Sequence, residues 1–208
     1  MLKRIFTTLL AAVLCCAVQN VSAANPRVVF MGDSITEGWG GKVPSFFTSN
    51  NFLCKGISGQ TTGDMLMRYT NDVINKQPQV VVILAGTNDI AQNDGVFVSM
   101  EQISNNIFYM AEQAMAKGIK VVLCSVLPSS GFGWTNIKPT DLIPRLNTII
   151  EEWAADHDCP YVDYYSLFVM EDGRMDTKFS GDNCHPYTEG YYIMEQALMP
   201  ILEPMLND

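Results

Sequence analysis

Gln79 to Ala85 reads QVVVILA, an uncharged run of mostly β-branched residues. A continuous apolar run of this length is how a parallel strand covered on both faces reads, because neither face can alternate toward water. It closes on the turn residues Gly86-Thr87-Asn88-Asp89. Val28 to Met31 likewise runs into Gly32-Asp33-Ser34, and Lys120 to Val126 leads into a loop beginning at Pro128. Helical segments separate these runs. Strands alternating with helices imply right-handed crossovers and a parallel sheet with helices on both faces.

The remaining elements fit that frame. Val43 to Asn50 reads as a short helix, Phe52 to Gly56 as a second strand, and a helix is expected from the Thr61-Thr62 region through roughly Asn75. Ser99 with Gln102 has the spacing of a capping box, and Ile103, Ile107, Met110, Ala114 and Met115 recur on one helical face. Thr140 is expected to cap a helix running to about His157, Tyr161 to Asp163 makes a fifth strand, and Thr188 starts a last helix that Pro200 should kink. Five parallel strands suggest a flavodoxin-like arrangement in one domain. The loop from Pro128 to Pro139, with Phe132 and Trp134, is long enough to cover something.

Residues 1–23 stand apart. Lys3 and Arg4 precede a mostly apolar stretch from Ile5 to Val18, and Val21-Ser22-Ala23 supplies small residues at a cleavage position. The apolar part is short for a span of about 20 residues. Cys15 and Cys16 lack the small predecessors of a lipoprotein signal. The expected product is therefore a protein cleaved near Ala23 and secreted or periplasmic, with its domain over residues 24–208. Losing Lys3 and Arg4 takes the formal charge from −9 to −11. That acidity argues against nucleic acid or an anionic membrane surface as partner. Cys54, Cys124, Cys159 and Cys184 remain, export permits disulfides, and the three possible pairings stay open. Their spacing matches no metal site.

Chemistry is expected at one edge of the sheet. Ser34, the Gly59 loop and Asn88 follow the first, second and third strands, and in a parallel sheet all three lie at the carboxyl-terminal edge. A base must come from His157 or His185. His157 falls at a helix end, where a solvated imidazole suffices to explain it. His185 lies in Asp182-Asn183-Cys184-His185-Pro186, and a carboxylate three residues earlier can reach the ring Nδ1–H. Asp182 would then steady the imidazolium formed as Ser34 loses its proton. A serine hydroxyl is a weak nucleophile without such a base. The Ser34 and Gly59 backbone N–H groups and the Asn88 amide are candidate donors to an oxyanion. Gly-x-Ser-x-Gly is absent, since position 36 is Thr.

GDSIT around Ser34, GISGQTT around Gly59, GTND around Asn88 and DNCHP around His185 occur in the order of the four blocks of the SGNH hydrolases, the GDSL-type esterases and lipases. The chain resembles that family from its first strand to its last loop, and GISGQTT…LMR with GTNDIA looks most like the platelet-activating-factor-acetylhydrolase-like branch. The resemblance implies a three-layer α/β/α sandwich with a five-stranded parallel sheet. It implies a serine esterase with Ser34, Asp182 and His185 as the catalytic set, an oxyanion hole from Ser34, Gly59 and Asn88, and no metal or organic cofactor. Ile35-Thr36 stands where lipase members often have Leu-Ser.

Trp39 and Trp134 are candidate substrate-binding aromatics, suited to a sugar ring or an alkyl chain. Together with export and an acidic surface they lead to an expected substrate: short acyl, above all acetyl, esters of carbohydrates or similar small molecules. A lysophospholipase or thioesterase taking longer chains, and a non-catalytic carbohydrate-binding module on the same fold, are the competing readings. The sequence leaves oligomeric state open.

Overall fold

The computed structural model describes residues 25–207; the expected leader over residues 1–23 lies outside them. Five parallel strands, β1 (Val28–Gly32), β2 (Phe52–Gly56), β3 (Val80–Leu84), β4 (Lys120–Cys124) and β5 (Tyr161–Val162), form one sheet in the order β2-β1-β3-β4-β5. That is the flavodoxin-like order. The last two strands are shorter than the sequence suggests: β4 stops at Cys124 and β5 has only two residues.

The helices are α1 (Ser34–Lys42), α2 (Pro44–Asn50), α3 (Thr62–Asp72), α4 (Thr87–Ile90), α5 (Met100–Met115), α6 (Leu142–Asp156), α7 (Tyr165–Phe168) and α8 (Thr188–Asn207). The α-helix expected to reach Asn75 ends at Asp72 and gives way to a 3₁₀ turn over Ile74–Lys76. Of the expected capping box at α5, only the Ser99 half forms, accepting from the Gln102 N–H, while the Gln102 side chain turns to Asn106. The complete box is at α3, where Thr61 and Asp64 cap each other's backbone. Asp141 rather than Thr140 precedes α6, and it makes no side-chain cap. Helix α8 runs through both Pro200 and Pro204.

The apolar runs split between two cores. Val29, Met31, Val81, Ile83, Val121 and Leu123 face the layer that contains α3, α5 and α6. Val28, Phe30, Val80, Val82, Leu84 and Val122 face the layer of α1, α2 and α8. The central strands β1, β3 and β4 therefore bury both sides, which is why their apolar runs carry no polar alternation. In the second core Trp39 is 2% exposed, stacks on Phe46 at 5.2 Å and lies 5.8 Å from Tyr191. Its Nε1–H donates to Glu195. Trp39 is thus a core residue of α1; the expectation that it lines a substrate cleft does not hold, because α1 turns that face inward. The four cysteines among the described residues are unpaired, and Cys124, Cys159 and Cys184 are buried.

Two glycines let α1 sit on the sheet edge. Gly32 and Gly56 are paired in register across β1 and β2. A Cβ on Gly56 would collide with the backbone of Glu37 and lie 2.6 Å from the Thr36 carbonyl carbon and 2.7 Å from the Asp33 oxygen. These are backbone atoms that cannot swing aside. Gly56→Ala should therefore lower the urea midpoint by the equivalent of about 2 kcal/mol or more, as overpacking does. An unchanged midpoint would show that α1 does not depend on this close approach.

Candidate active site

Ser34 is the first residue of α1, not a member of a free turn. Its N–H belongs to the helix N-terminus, where backbone donors lack intrahelical acceptors and the dipole favours negative charge. Asp33 caps the helix: its Oδ1 accepts the Ile35 N–H at 2.9 Å. Asp33 is wholly buried and its Oδ2 has no hydrogen-bond partner among the described residues. Burial pushes its carboxyl up to about 6, against lowering by the Ile35 N–H and by His185.

His185 reaches Ser34 from the loop between β5 and α8. Ser34 Oγ lies 2.8 Å from His185 Nε2, and His185 Nδ1 lies 2.7 Å from Asp182 Oδ2. With Nδ1–H donating to the carboxylate, Nε2 is left to accept the serine proton. Asp182 Oδ1 also accepts the N–H groups of Cys184 and His185 and the Ser180 hydroxyl. Burial alone would raise the Asp182 carboxyl, but the backbone and ring donors of His185 and the Cys184 N–H hold it down at about 2. Asp182 is therefore anionic wherever the imidazole can act as a base. Lys42 Nζ donates to Pro186 O at 2.6 Å and ties this loop back to α1. The other histidine, His157, packs on Trp153 at 3.9 Å beyond the end of α6.

Gly59 follows β2 with φ +80, a left-handed backbone that favours glycine. A Cβ there would meet no protein atom within 4 Å, so conformation rather than crowding by the protein calls for glycine. Asn88 lies on α4 and is 3% exposed; its Nδ2 donates to Gln60 O at 2.9 Å. Ser34, Ser58, Gly59, Asn88, Asn93, Trp134 and His185 line one open cleft of about 230 Å³. Trp134 is half exposed, with its ring 6.2 Å from that of His185. The cleft thus brings together Ser34, Gly59, Asn88, Trp134 and His185, with Asp182 behind the His185 ring, and leaves out Trp39.

Supporting residues went unnoticed in the sequence. Arg68 donates to Gly32 O and Lys55 O, joining the ends of β1 and β2, and its Nε–H reaches the Gln60 side chain at 2.5 Å. Asp89 is buried and accepts from the Thr62 N–H and hydroxyl, the latter at 2.6 Å. Burial raises its carboxyl, and the Thr62 donors oppose that. This bond pins the segment bearing Asn88 to the start of α3, just after the Gly59 loop. The LMR and GTND strings held these residues, but only their contacts reveal the task.

The GDSL-like lipase/acylhydrolase family model matches residues 30–193. The chain belongs to that family. The structure of a GDSL-like lipase from Bacteroides thetaiotaomicron is 44% identical, with a TM-score of 0.84 over 86% of this chain and 89% of that one. An uncharacterised lipoprotein of Bacillus subtilis is 28% identical over 59% of this chain, and the match spans 58% of the relative's length. An acetylxylan esterase from Geobacillus stearothermophilus shares the fold, with a TM-score of 0.66 and 18% identity over 85% of this chain and 94% of that one. As a family member the chain is a carboxylic ester hydrolase.

The Asp33 carboxyl has a consequence for stability. Its folded value lies above its ordinary 3.8, so the folded protein holds the proton more tightly than the unfolded chain. Stability from this group is fully present below about pH 4 and is lost as pH rises through about 6. The loss is on the order of 3 kcal/mol. Asp33→Asn keeps an oxygen for the Ile35 N–H and should remove this component. Urea unfolding at pH 4 and pH 7 checks it: equal pH dependence in both proteins would contradict the assignment.

Proposed function

We propose that the protein is an exported serine esterase that removes short acyl groups, chiefly acetyl, from carbohydrates. The observation that carries this reading is the hydrogen-bond chain from Asp182 through His185 to Ser34, opening into a small cleft beside Trp134. Ser34 Oγ attacks the ester carbonyl while His185 Nε2 takes its proton. The Ser34 and Gly59 N–H groups and the Asn88 amide receive the oxyanion. His185 then returns the proton to the leaving alkoxide, and the acyl group stays on Ser34. Water attacks this acyl-enzyme by the same route in reverse, releasing the acid.

Size and lining support a short acyl group. The residues around the cleft are small or polar apart from Trp134, and no aliphatic side chain is among them to receive a long chain. One aromatic face beside hydroxyl and amide groups suits a sugar ring. The fold shared with an acetylxylan esterase points the same way. Export rests on the leader-like residues 1–23 and on a relative that is a lipoprotein. Among the described residues no helix is long and apolar enough to cross a membrane.

Two experiments test the reading. Acetate release should be measured over acetylated polysaccharides and oligosaccharides. Ser34→Ala and His185→Ala should each cost on the order of 10⁴-fold or more in rate with little change in melting temperature; collapse of folding instead would make these residues structural. Across p-nitrophenyl esters of increasing length, kcat/KM should fall sharply beyond butyrate. A maximum at eight carbons or more would replace the short-acyl reading with that of a lysophospholipase or thioesterase.

A further inference from the structure

We propose that Trp134 and Asn93 form a one-way hydrogen-bond relay that turns the Asn88 amide toward the oxyanion; this rests on the reading of Asn88 as an oxyanion donor. An indole N–H can only donate. Trp134 Nε1 donates to Asn93 Oδ1 at 2.6 Å, which obliges Asn93 to point its Nδ2 the other way. That Nδ2 donates to Asn88 Oδ1 at 2.7 Å. The Asn88 oxygen is thereby occupied. Its Nδ2 spends one hydrogen on Gln60 O and keeps the second for an acceptor in the cleft.

The polarity of this chain matters because an amide turned by half a revolution has almost the same shape. Turned the wrong way, Asn88 would present a carbonyl oxygen to a developing negative charge. Gln60 O favours the same orientation from one side, and Asn93 enforces it from the other. The backbone closes the turn, with the Asn93 N–H on Asn88 O at 3.0 Å. Asn93 itself is exposed, so its part is orientation and not packing.

The relay also gives the loop over residues 128–139 a task. Trp134 projects from that loop to Asn93. Three residues earlier in the same loop, Gly131 O accepts from Asn183 Nδ2 at 3.1 Å, and Asn183 adjoins Asp182 in the loop that bears His185. One strap thus spans from the base to the oxyanion donor. Asn93 and Trp134 act through Asn88 and are positioning residues.

Two substitutions separate orientation from contact. Trp134→Phe keeps an aromatic face over His185 and loses the donor. Asn93→Asp sets an acceptor against Asn88 Oδ1 and drives the amide to flip. On p-nitrophenyl acetate, Asn93→Asp should lower kcat by about 10- to 100-fold with KM within about twofold, short of the roughly 10²–10³ for outright loss of an oxyanion donor. Trp134→Phe should lower kcat about three- to tenfold. In an Asn88→Ala background each should change kcat less than about twofold; equal losses in both backgrounds would overturn the relay. A second readout is independent of turnover. In ¹⁵N-labelled Ser34→Ala protein, the Asn88 side-chain amide resonances, identified by their loss in the additional Asn88→Ala variant, should shift with either substitution. Unshifted resonances would overturn the relay even if the esterase reading stands, whereas a wild-type protein without Ser34-dependent turnover would overturn that reading instead.

Discussion

Gly32 and Gly56 face each other across β1 and β2, and the first turn of α1 lies against the space their side chains would fill. That close approach sets where Ser34 stands. With α1 seated on the sheet edge, the Ser34 hydroxyl is presented at the carboxyl ends of the strands, its N–H belongs to a helix N-terminus, and the Gly59 loop passes beside it. In-register parallel pairing then carries Asn88 to the same edge from β3. The cleft follows from backbone geometry before any polar side chain contributes.

Asp182, Asp89 and Asp33 lie near this edge, each in a different setting. Asp182 is half exposed and rich in donors, so it stays ionised and orients His185. Asp89 is buried but satisfied by Thr62, and it clamps the segment bearing Asn88 to the start of α3. Asp33 is buried with one oxygen unpartnered, and burial raises its carboxyl to about 6. Burial raises each one, and the number of hydrogen-bond donors decides how far that is offset. Ionised Asp182 bonds the imidazole, while Asp33 caps α1 and Asp89 joins α4 to the start of α3.

Much of this was legible in the chain. Uninterrupted apolar runs announced doubly covered strands, and turn residues after each run located the edge where Ser34, Gly59 and Asn88 meet. Asp182 and His185 could be named from a spacing of three and from the scarcity of histidine. Trp39 could not be placed, because an aromatic one helical turn beyond a serine faces either the cleft or the core according to how α1 rolls. Nor could Thr140 be distinguished from Asp141 as the residue preceding α6. Arg68, Asp89 and Asn93 were hidden for another reason: their partners lie across loops, and no periodicity encodes such contacts. The fold class and the family were thus readable, while the polar scaffold behind the cleft was not.

The central claim is that Ser34 is a nucleophile activated by His185. Labelling the folded protein with a fluorophosphonate, followed by peptide mapping, tests it most directly. A single covalent adduct on Ser34, lost in His185→Ala, is the expected result. No adduct, or an adduct on another residue that persists in Ser34→Ala, would contradict it.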